Sequence, residues 1–291
     1  MINKDSILAL GSIALDTIYT KNDHRKDILG GSASYFAIAS SYFRTVNVLG
    51  VVGNDFPQKY WNLYNQFDIN TDNVEIKNGN TFRWGGKYSD DYNNRETLFT
   101  ELGVFDNYSP VINDSLYNSK FIFLGNIHPD MQMSVIKKTT SDQIIILDTM
   151  NLWIDISLKS LKKVISRANI FLLNDEEAFL LTQKEIIEDA AEELMDMGPE
   201  IIIIKKGSLG SYLYDKTNNI KANIPAFSID NVVDTTGAGD HFNIMIVSDN
   251  FKGMKLIDRH KLVYKSLNQF LSKEIHALQL KTLTNEEFNN E

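Results

Sequence analysis

The stretch "KEIIEDAAEELMDMGPEIIII", residues 184–204, decides the fold class. Residues 184–198 have the composition of a helix, and Gly198 followed by Pro199 is a typical helix end. The four isoleucines that follow form a continuous apolar run, which is typical of a strand buried on both faces. A helix that leads directly into such a strand predicts one unit of a parallel sheet.

Similar apolar runs recur along the chain, at residues 6–11, 46–53, 121–125, 144–148 and 170–173. Helical patterns lie between them, and one of these begins with paired glycines and continues with small residues over 30–43. This alternation predicts an α/β fold, with a doubly wound, mainly parallel sheet and helices on both faces.

Residues 81–105, "TFRWGGKYSDDYNNRETLFTELGVF", have a different pattern. Apolar residues alternate around Phe82 and Trp84, a polar turn follows, and a second β-rich run comes after it. The pattern predicts an antiparallel β-hairpin, which either forms a lid over a site at the strand ends or is a surface excursion or dimer contact. Residues 1–291 show no repeat or linker, so we expect a single domain with this hairpin as a lid insertion.

Composition excludes several classes of function. The chain has a net charge of −9 and no cysteine, which rules out disulfides and thiolate chemistry and argues against nucleic acid as a partner. No apolar run is long enough to cross a membrane, and the first residues lack the apolar core of a signal peptide. We therefore expect a cytoplasmic protein without a membrane partner.

The segment "DTTGAGD", residues 234–240, is the strongest candidate for a chemical site. Gly237 and Gly239 let the backbone approach a ligand closely. If a helix begins here, its unpaired amides favour an anion, and Asp240 in the first turn could accept a proton from an attacking hydroxyl. A capped helix start without a ligand has the same pattern, so the segment alone leaves both interpretations open.

Several segments in order resemble the ribokinase/PfkB family of carbohydrate kinases. Besides "DTTGAGD" they are "GSIALD" (11–16), "GGSASYFAIA" (30–39), "VVGND" (51–55), "NDEE" (174–177) and "IIIIKKGSLGSYLYD" (201–215). The resemblance covers nearly the whole chain. It implies the ribokinase-like fold and an enzyme that transfers the γ-phosphoryl group of ATP to a hydroxymethyl group of a small sugar.

The resemblance also implies a phosphate end of the site. Asp240 would be the catalytic base, and the amides of Gly237, Ala238 and Gly239 would stabilise the transferring group. Asn174 and Glu177 would organise water-bound Mg²⁺ and the phosphates. The remaining contacts implied for ATP are Lys205, Gly207, Gly210 and Thr236. Asp234 is a candidate ligand for a monovalent cation such as K⁺.

The acceptor end is implied by the first segments. Asp16 would accept hydroxyl hydrogen bonds from the sugar, while Gly30, Gly31 and Ser32 leave room for its ring. Arg83 would come from the lid. Asn126 and Asn151 follow two predicted strands, where α/β sheets place ligand groups. The lid is also a candidate homodimer contact.

Two departures from the family pattern affect the pockets. Tyr35 stands where the family often has Asn, which weakens the assignment of a particular sugar. After Asp240 the family has a helix of small residues around a Phe, but here Phe242 is followed by Asn243, Ile244 and Met245. No proposed catalytic group is lost by either change.

Two other functions remain open at this point. A nucleoside kinase of the same family is one, because lid aromatics such as Phe82, Trp84 and Tyr88 could stack on a base. A non-catalytic sensor of a sugar or nucleotide on the same fold is the other. Retention of Asp240 argues against the sensor, since a sensor needs no base.

Overall fold

The computed structural model describes residues 6–21, 23–89, 95–111, 118–226, 244–247, 252, 254 and 280–283. The strands, numbered along the chain, are β1 (Ser6–Leu10), β2 (Ala14–Tyr19), β3 (His24–Gly30), β4 (Val46–Gly53), β5 (Asn70–Lys77), β6 (Phe82–Tyr88), β7 (Arg95–Glu101), β8 (Ser119–Leu124), β9 (Ile144–Asp148), β10 (Ile170–Asn174), β11 (Ile201–Lys205), β12 (Ser211–Asp215), β13 (Ile220–Ile224), β14 (Ile244–Val247) and β15 (Leu280–Leu283). The α-helices are α1 (Ser32–Ser41), α2 (Gln58–Gln66), α3 (Pro129–Ile136), α4 (Asn151–Ile156), α5 (Leu158–Ile165), α6 (Asp175–Thr182) and α7 (Ile187–Asp196). Short 3₁₀ turns occupy Gly103–Phe105 and Gly207–Leu209.

Over the residues that the structure describes, the main sheet has nine strands in the order β13-β12-β11-β10-β9-β8-β1-β4-β5. The strands from β5 to β11 in this order pair in parallel, and only β12 and β13 pair antiparallel. The predicted α/β fold with a mainly parallel sheet is therefore confirmed.

Successive residues of the central strands point into two different apolar layers. Leu8 and Leu10 of β1 belong to a core on the side of α3, α5, α6 and α7, whereas Ile7 and Ala9 belong to a core on the side of α1 and α2. Because both faces of the sheet are covered, its strands read as continuous apolar runs.

The deciding stretch forms α7 and β11, as predicted, but the helix begins at Ile187 rather than at residue 184. Gln183 ends α6 in the left-handed conformation, with φ 58°. Residues 184–186 are needed to turn the chain between the two helices. The buried face of α7 is Ala190, Ala191, Leu194 and Met195.

The predicted hairpin exists as the antiparallel pair β6 and β7. It belongs to a larger, four-stranded sheet in the order β3-β2-β6-β7. Strands β2 and β3 were not predicted as members of this lid sheet. The sequence signal for β2 is an apolar run that ends near a polar turn. The segment "GSIALD" leads from the end of β1 in the main sheet into β2 of the lid sheet.

Strands β14 and β15 pair in parallel as a third sheet, and among the described residues neither pairs with the main sheet. The family resemblance implied a helix after Asp240, and this expectation is wrong for residues 244–247, which form a strand. Ile244, Ile246 and Val247 are β-branched residues, which favour a strand over a helix. In the part of the chain that the structure describes, no helix is long and apolar enough to span a membrane.

Candidate active site

The predicted acceptor end centres on Asp16, a buried residue of β2 that is 5% exposed. Its carboxylate lies against Gly30 at the end of β3, where a Cβ would come within 2.0 Å of Asp16 Oδ2. Only glycine fits at this position without displacing the carboxylate. The structure thus brings these two predicted site residues together, and the space beside Gly30 that was expected to leave room for a sugar ring holds the Asp16 carboxylate.

Gly31 and Ser32 connect the lid sheet to the start of α1. Gly31 has φ 93°, and a Cβ there would lie 2.3 Å from the carbonyl oxygen of Ser12. The Ser32 amide donates to Ser12 Oγ at 3.1 Å, and the Ser12 amide donates to Ser32 Oγ at 3.3 Å. These reciprocal bonds fix the chain between β1 and α1 beside the acceptor end. Tyr35, on the same helix, is buried at 4% exposed.

Arg83 of β6 forms ion pairs with two carboxylates. Its guanidinium lies 2.7 Å from Asp55 Oδ2 and 3.3 Å from Asp27 Oδ1. Asp55 also accepts bonds from the amide and hydroxyl of Thr81, both at 2.7 Å. Burial alone would raise the pKa of Asp55, but these bonds and the Arg83 charge outweigh it and lower that pKa. The network fastens the lid strand to the loop after β4.

Asn126 and Asn151 lie after β8 and β9, at the carboxyl edge of the sheet, as predicted. Asn126 Oδ1 accepts a bond from Trp153 Nε1 at 2.8 Å, and Asn126 Nδ2 lies 3.1 Å from Met150 Sδ. Asn151 is exposed, and its Oδ1 accepts from the amide of Leu152. Their polar groups make contacts within the protein.

The predicted phosphate end contains Asn174 and Glu177, which form a capping box at the start of α6. Asn174 Oδ1 accepts from the Glu177 amide at 2.7 Å, and Glu177 Oε2 accepts from the Asn174 amide at 2.8 Å. Glu177 is only 7% exposed. The structure places the two residues together, in a geometry that also serves as an ordinary helix start.

Lys205 ends β11 next to this helix start, because it pairs in register with Asn174. Its ammonium lies 3.5 Å from Asp148 Oδ1 at the end of β9. Asp148 was not predicted as a site residue, since its only signal was a carboxylate ending a buried apolar run. Lys206 donates to Asn223 Oδ1 at 2.6 Å, away from Asp148, in agreement with the expected opposite direction of neighbouring side chains.

Gly207 and Gly210 bracket a tight turn after Lys205. Both have positive φ, 54° and 89°, and the Lys206 amide donates to the Gly210 carbonyl at 2.7 Å. The predicted glycine-dependent turn is therefore present. A Cβ at Gly210 would meet the Ile224 carbonyl, whereas one at Gly207 would meet open space.

The signature segment lies outside the described residues. This applies to the predicted catalytic and cation-binding residues Asp234, Thr236, Gly237, Ala238, Gly239 and Asp240. Within the described ranges, no group of three or more His, Asp or Glu side chains is placed to hold a metal ion.

Comparison with known proteins gives two kinds of relative. A family model, pfkB family carbohydrate kinase, matches residues 4–258. The cytidine kinase of Thermococcus kodakarensis is 24% identical over 275 residues, covering 92% of this chain and 96% of that enzyme. The DNA-binding transcriptional regulator BolA of Escherichia coli is 40% identical over 52 residues, which are 18% of this chain and 50% of BolA.

Solved structures share the fold. A Burkholderia thailandensis nucleoside kinase in complex with inosine has a TM-score of 0.64 at 20% identity, covering 80% of this chain and 79% of that one. A putative ribokinase II of Escherichia coli in complex with ATP and Mg²⁺ has a TM-score of 0.70 at 16% identity, covering 81% and 82%. With the family model matching most of its residues, this chain belongs to the pfkB family of carbohydrate kinases and is a phosphotransferase.

Proposed function

We propose that the protein transfers the γ-phosphoryl group of ATP to the hydroxymethyl group of a nucleoside. The observation that carries the proposal is the buried Asp16 carboxylate held against Gly30, beside a lid sheet. The cytidine kinase relative, which this chain matches over most of both lengths, supports a nucleoside over a free sugar.

At the acceptor end, a carboxylate can accept hydrogen bonds from two neighbouring hydroxyls of a pentose. Asp16 is suited to this because its position is fixed by the strand and by Gly30. The lid sheet supplies aromatic side chains near this end, and Trp84 donates through Nε1 to Thr97 Oγ1 at 3.3 Å. An indole held in this way could stack on a base.

At the phosphate end, the residues present suit ATP and Mg²⁺. Lys205 supplies a cation, and the buried Glu177 carboxylate suits a magnesium ion that keeps its water ligands. A magnesium ion bound there would neutralise charge on the phosphates. In this proposal Asp240 takes the proton of the acceptor hydroxyl as the hydroxyl oxygen bonds to the γ-phosphorus. The bond between that phosphorus and the bridging oxygen of the β-phosphate breaks at the same time and releases ADP, while the amides of residues 237–239 stabilise the transferring oxygens.

The test is formation of ADP by the purified full chain with MgATP and a panel of nucleosides and free sugars. We expect a nucleoside to stimulate turnover most strongly. Preference for a free sugar would correct the acceptor class and leave the kinase assignment intact. Tight binding of one panel member with no ADP formed would contradict the kinase proposal and favour a sensor.

A second function is favoured by the BolA likeness, which we place at the C-terminal end of the chain. The solved structures cover about four fifths of the chain, and the BolA match spans 52 residues, or 18% of the chain, which is close to the share that those structures leave. The parallel pair β14 and β15 is separate from the main sheet. This placement also explains why Asn243, Ile244 and Met245 depart from the family pattern. The family model, which reaches residue 258, would then overlap this second unit.

We propose that this C-terminal unit binds DNA, as the name of its relative states for that protein. The whole-chain charge of −9 hides an uneven distribution, because residues 252–273 are strongly basic. Their charged residues are Lys252, Lys255, Arg259, Lys261, Lys265 and Lys273, against Asp258 alone. Clustered cations of this kind neutralise phosphates of a duplex. This proposal replaces the expectation that nucleic acid is not a partner.

Anisotropy of a labelled DNA duplex, measured with the full chain at stepped salt concentrations, tests the second function. We expect affinity to fall with salt. The triple variant Lys255→Gln/Lys261→Gln/Lys265→Gln should flatten that slope by about 1 for each DNA phosphate that the protein no longer neutralises. The matched control removes three exposed lysines of α5, with Lys159→Gln/Lys162→Gln/Lys163→Gln. Equal binding by both variants would overturn the proposal.

A further inference from the structure

The carboxyl edge of the main sheet contains a buried acid, Asp148, that has no role in the phosphoryl transfer proposed above. Asp148 ends β9, its side chain is 6% exposed, and its Oδ1 lies 3.5 Å from Lys205 Nζ. Strand β10 runs between the two, since Asp148 pairs with Leu172 and Lys205 pairs with Asn174. The lysine side chain therefore reaches back across the end of β10 to meet the acid.

The backbone of Asp148 is held in place by a side chain of α3. Gln132 Nε2 donates to the carbonyl of Asp148 at 3.1 Å and to the carbonyl of Gly125 at 2.9 Å. These bonds fix the ends of β8 and β9 relative to each other. The acid is thus set on rigid elements rather than on a mobile surface, which is the arrangement that precise positioning requires.

The pair is unequal in its exposure to solvent. Burial raises the pKa of Asp148, and the neighbouring charge of Lys205 opposes that rise. Lys205 is more accessible, with 22% of its side chain exposed. An ionised carboxylate in an apolar setting needs a cationic partner, so the acid restrains the ammonium at this edge.

We propose that Asp148 is a positioning residue for the nucleotide. It holds the Lys205 ammonium at the carboxyl edge of the sheet, beside the capping box of α6, where that ammonium meets the phosphates of ATP. The inference rests on the proposed kinase function, because it assigns a role within the same site. Lysine is a flexible point charge, and restraining it beforehand lowers the entropy lost when it binds a phosphate.

The experiment measures the Kd of a non-hydrolysable ATP analogue by calorimetry, and KM for ATP and for the nucleoside, on the full chain. In Asp148→Asn, which keeps the shape of the side chain, we expect the analogue Kd and the KM for ATP to rise about 10-fold. The KM for the nucleoside should stay close to wild type. Asp142→Asn, in the exposed turn before β9, also removes one negative charge and should change neither constant.

A double-mutant cycle separates positioning from a merely structural role. If Asp148 acts through Lys205, then Asp148→Asn should have little further effect on the analogue Kd once Lys205→Met is present. Lys205→Arg, which can still pair with the acid, should restore part of the affinity that Lys205→Met loses. Melting temperatures confirm that each variant is folded.

The outcomes separate this inference from the proposed function. A wild-type chain that fails to bind the analogue would overturn both. Wild-type binding together with unchanged affinity in Asp148→Asn, or fully additive effects in the cycle, would overturn only the positioning role. Loss of affinity for nucleoside and analogue alike would also contradict it, because positioning of Lys205 acts on the phosphates alone.

Discussion

The two ends of the proposed site lie near one edge of the same sheet but are built by different physical means. At the acceptor end, the Asp16 carboxylate occupies the space that a side chain at position 30 would need. At the phosphate end, Lys205, Glu177 and Asn174 are fixed by charge and hydrogen bonds. We therefore expect the acceptor end to be sensitive to changes in side-chain volume and the phosphate end to changes in side-chain charge.

We expect the largest effect from a change at the proposed catalytic base, Asp240. Asp240→Asn should lower kcat by about 10²- to 10⁴-fold, because the acceptor hydroxyl loses its base. Binding of ATP and of the nucleoside should be retained, as measured by calorimetry. Asp196→Asn on the exposed face of α7 is the charge control. Near-normal turnover in Asp240→Asn would remove the proposed base from the mechanism.

We expect the second-largest effect from a change in side-chain volume, which should affect only the acceptor end. In Gly30→Ala the new methyl group collides with the Asp16 carboxylate, so we expect KM for the nucleoside to rise about 10²-fold. Affinity for ATP should be unaffected. Gly207→Ala places its methyl group in open space and should leave the KM for the nucleoside unchanged, although its φ of 54° costs about 1–2 kcal/mol of stability. If Gly30→Ala weakened binding of the nucleoside and of ATP equally, the two ends would not act independently.

A change of charge without volume should affect the phosphate end only. Glu177→Gln keeps an oxygen that accepts the Asn174 amide, so stability should fall by less than about 1 kcal/mol. The Mg²⁺ concentration for half-maximal turnover should rise several-fold, because the buried negative charge is lost. Glu176→Gln, exposed in the same helical turn, serves as the control. A change in the KM for the nucleoside instead would contradict the assignment of Glu177 to the phosphate end.

We expect the smallest effect from loss of the ion pair between Asp55 and Arg83, which joins the lid sheet to the loop after β4. Because the pKa of Asp55 is lowered in the folded state, its contribution to stability is present above the unfolded pKa and is lost as pH falls through the folded pKa. Asp55→Asn should therefore cost about 1 kcal/mol at pH 7, and this difference should shrink as the medium is acidified below the ordinary aspartate range. Urea unfolding at several pH values measures it, and a difference independent of pH would contradict the ion-pair account.

Much of the fold could be predicted because buried parallel strands leave a simple trace in the sequence. The runs around Ile122, Leu147 and Ile203 became central strands as expected. Strands β2 and β3 were missed because β2 continues almost directly from β1, without the break that normally marks a new element. The helix expected after Asp240 came from the family resemblance, and the β-branched residues at 244–247 form a strand instead.

The candidate site could be predicted where a motif carried it and not where it depends on register. Asp16 with Gly30 and Asn174 with Glu177 were found from their motifs, and the structure brings each pair together. Asp148 was missed because its approach to Lys205 depends on the order of β9, β10 and β11 in the sheet. No spacing along the chain encodes that approach. The roles of the signature residues stay predictions, because these residues lie outside the described ranges.

The measurement that tests the central claim most directly is identification of the product formed by the full chain from MgATP and the preferred nucleoside. Phosphorus NMR on the purified product shows which oxygen carries the new phosphate. One site with an acceptor end at Asp16 and a phosphate end at Lys205 predicts a monophosphate on the hydroxymethyl oxygen. Absence of any phosphorylated acceptor, with both substrates shown to bind, would contradict the claim that the two ends form a kinase active site.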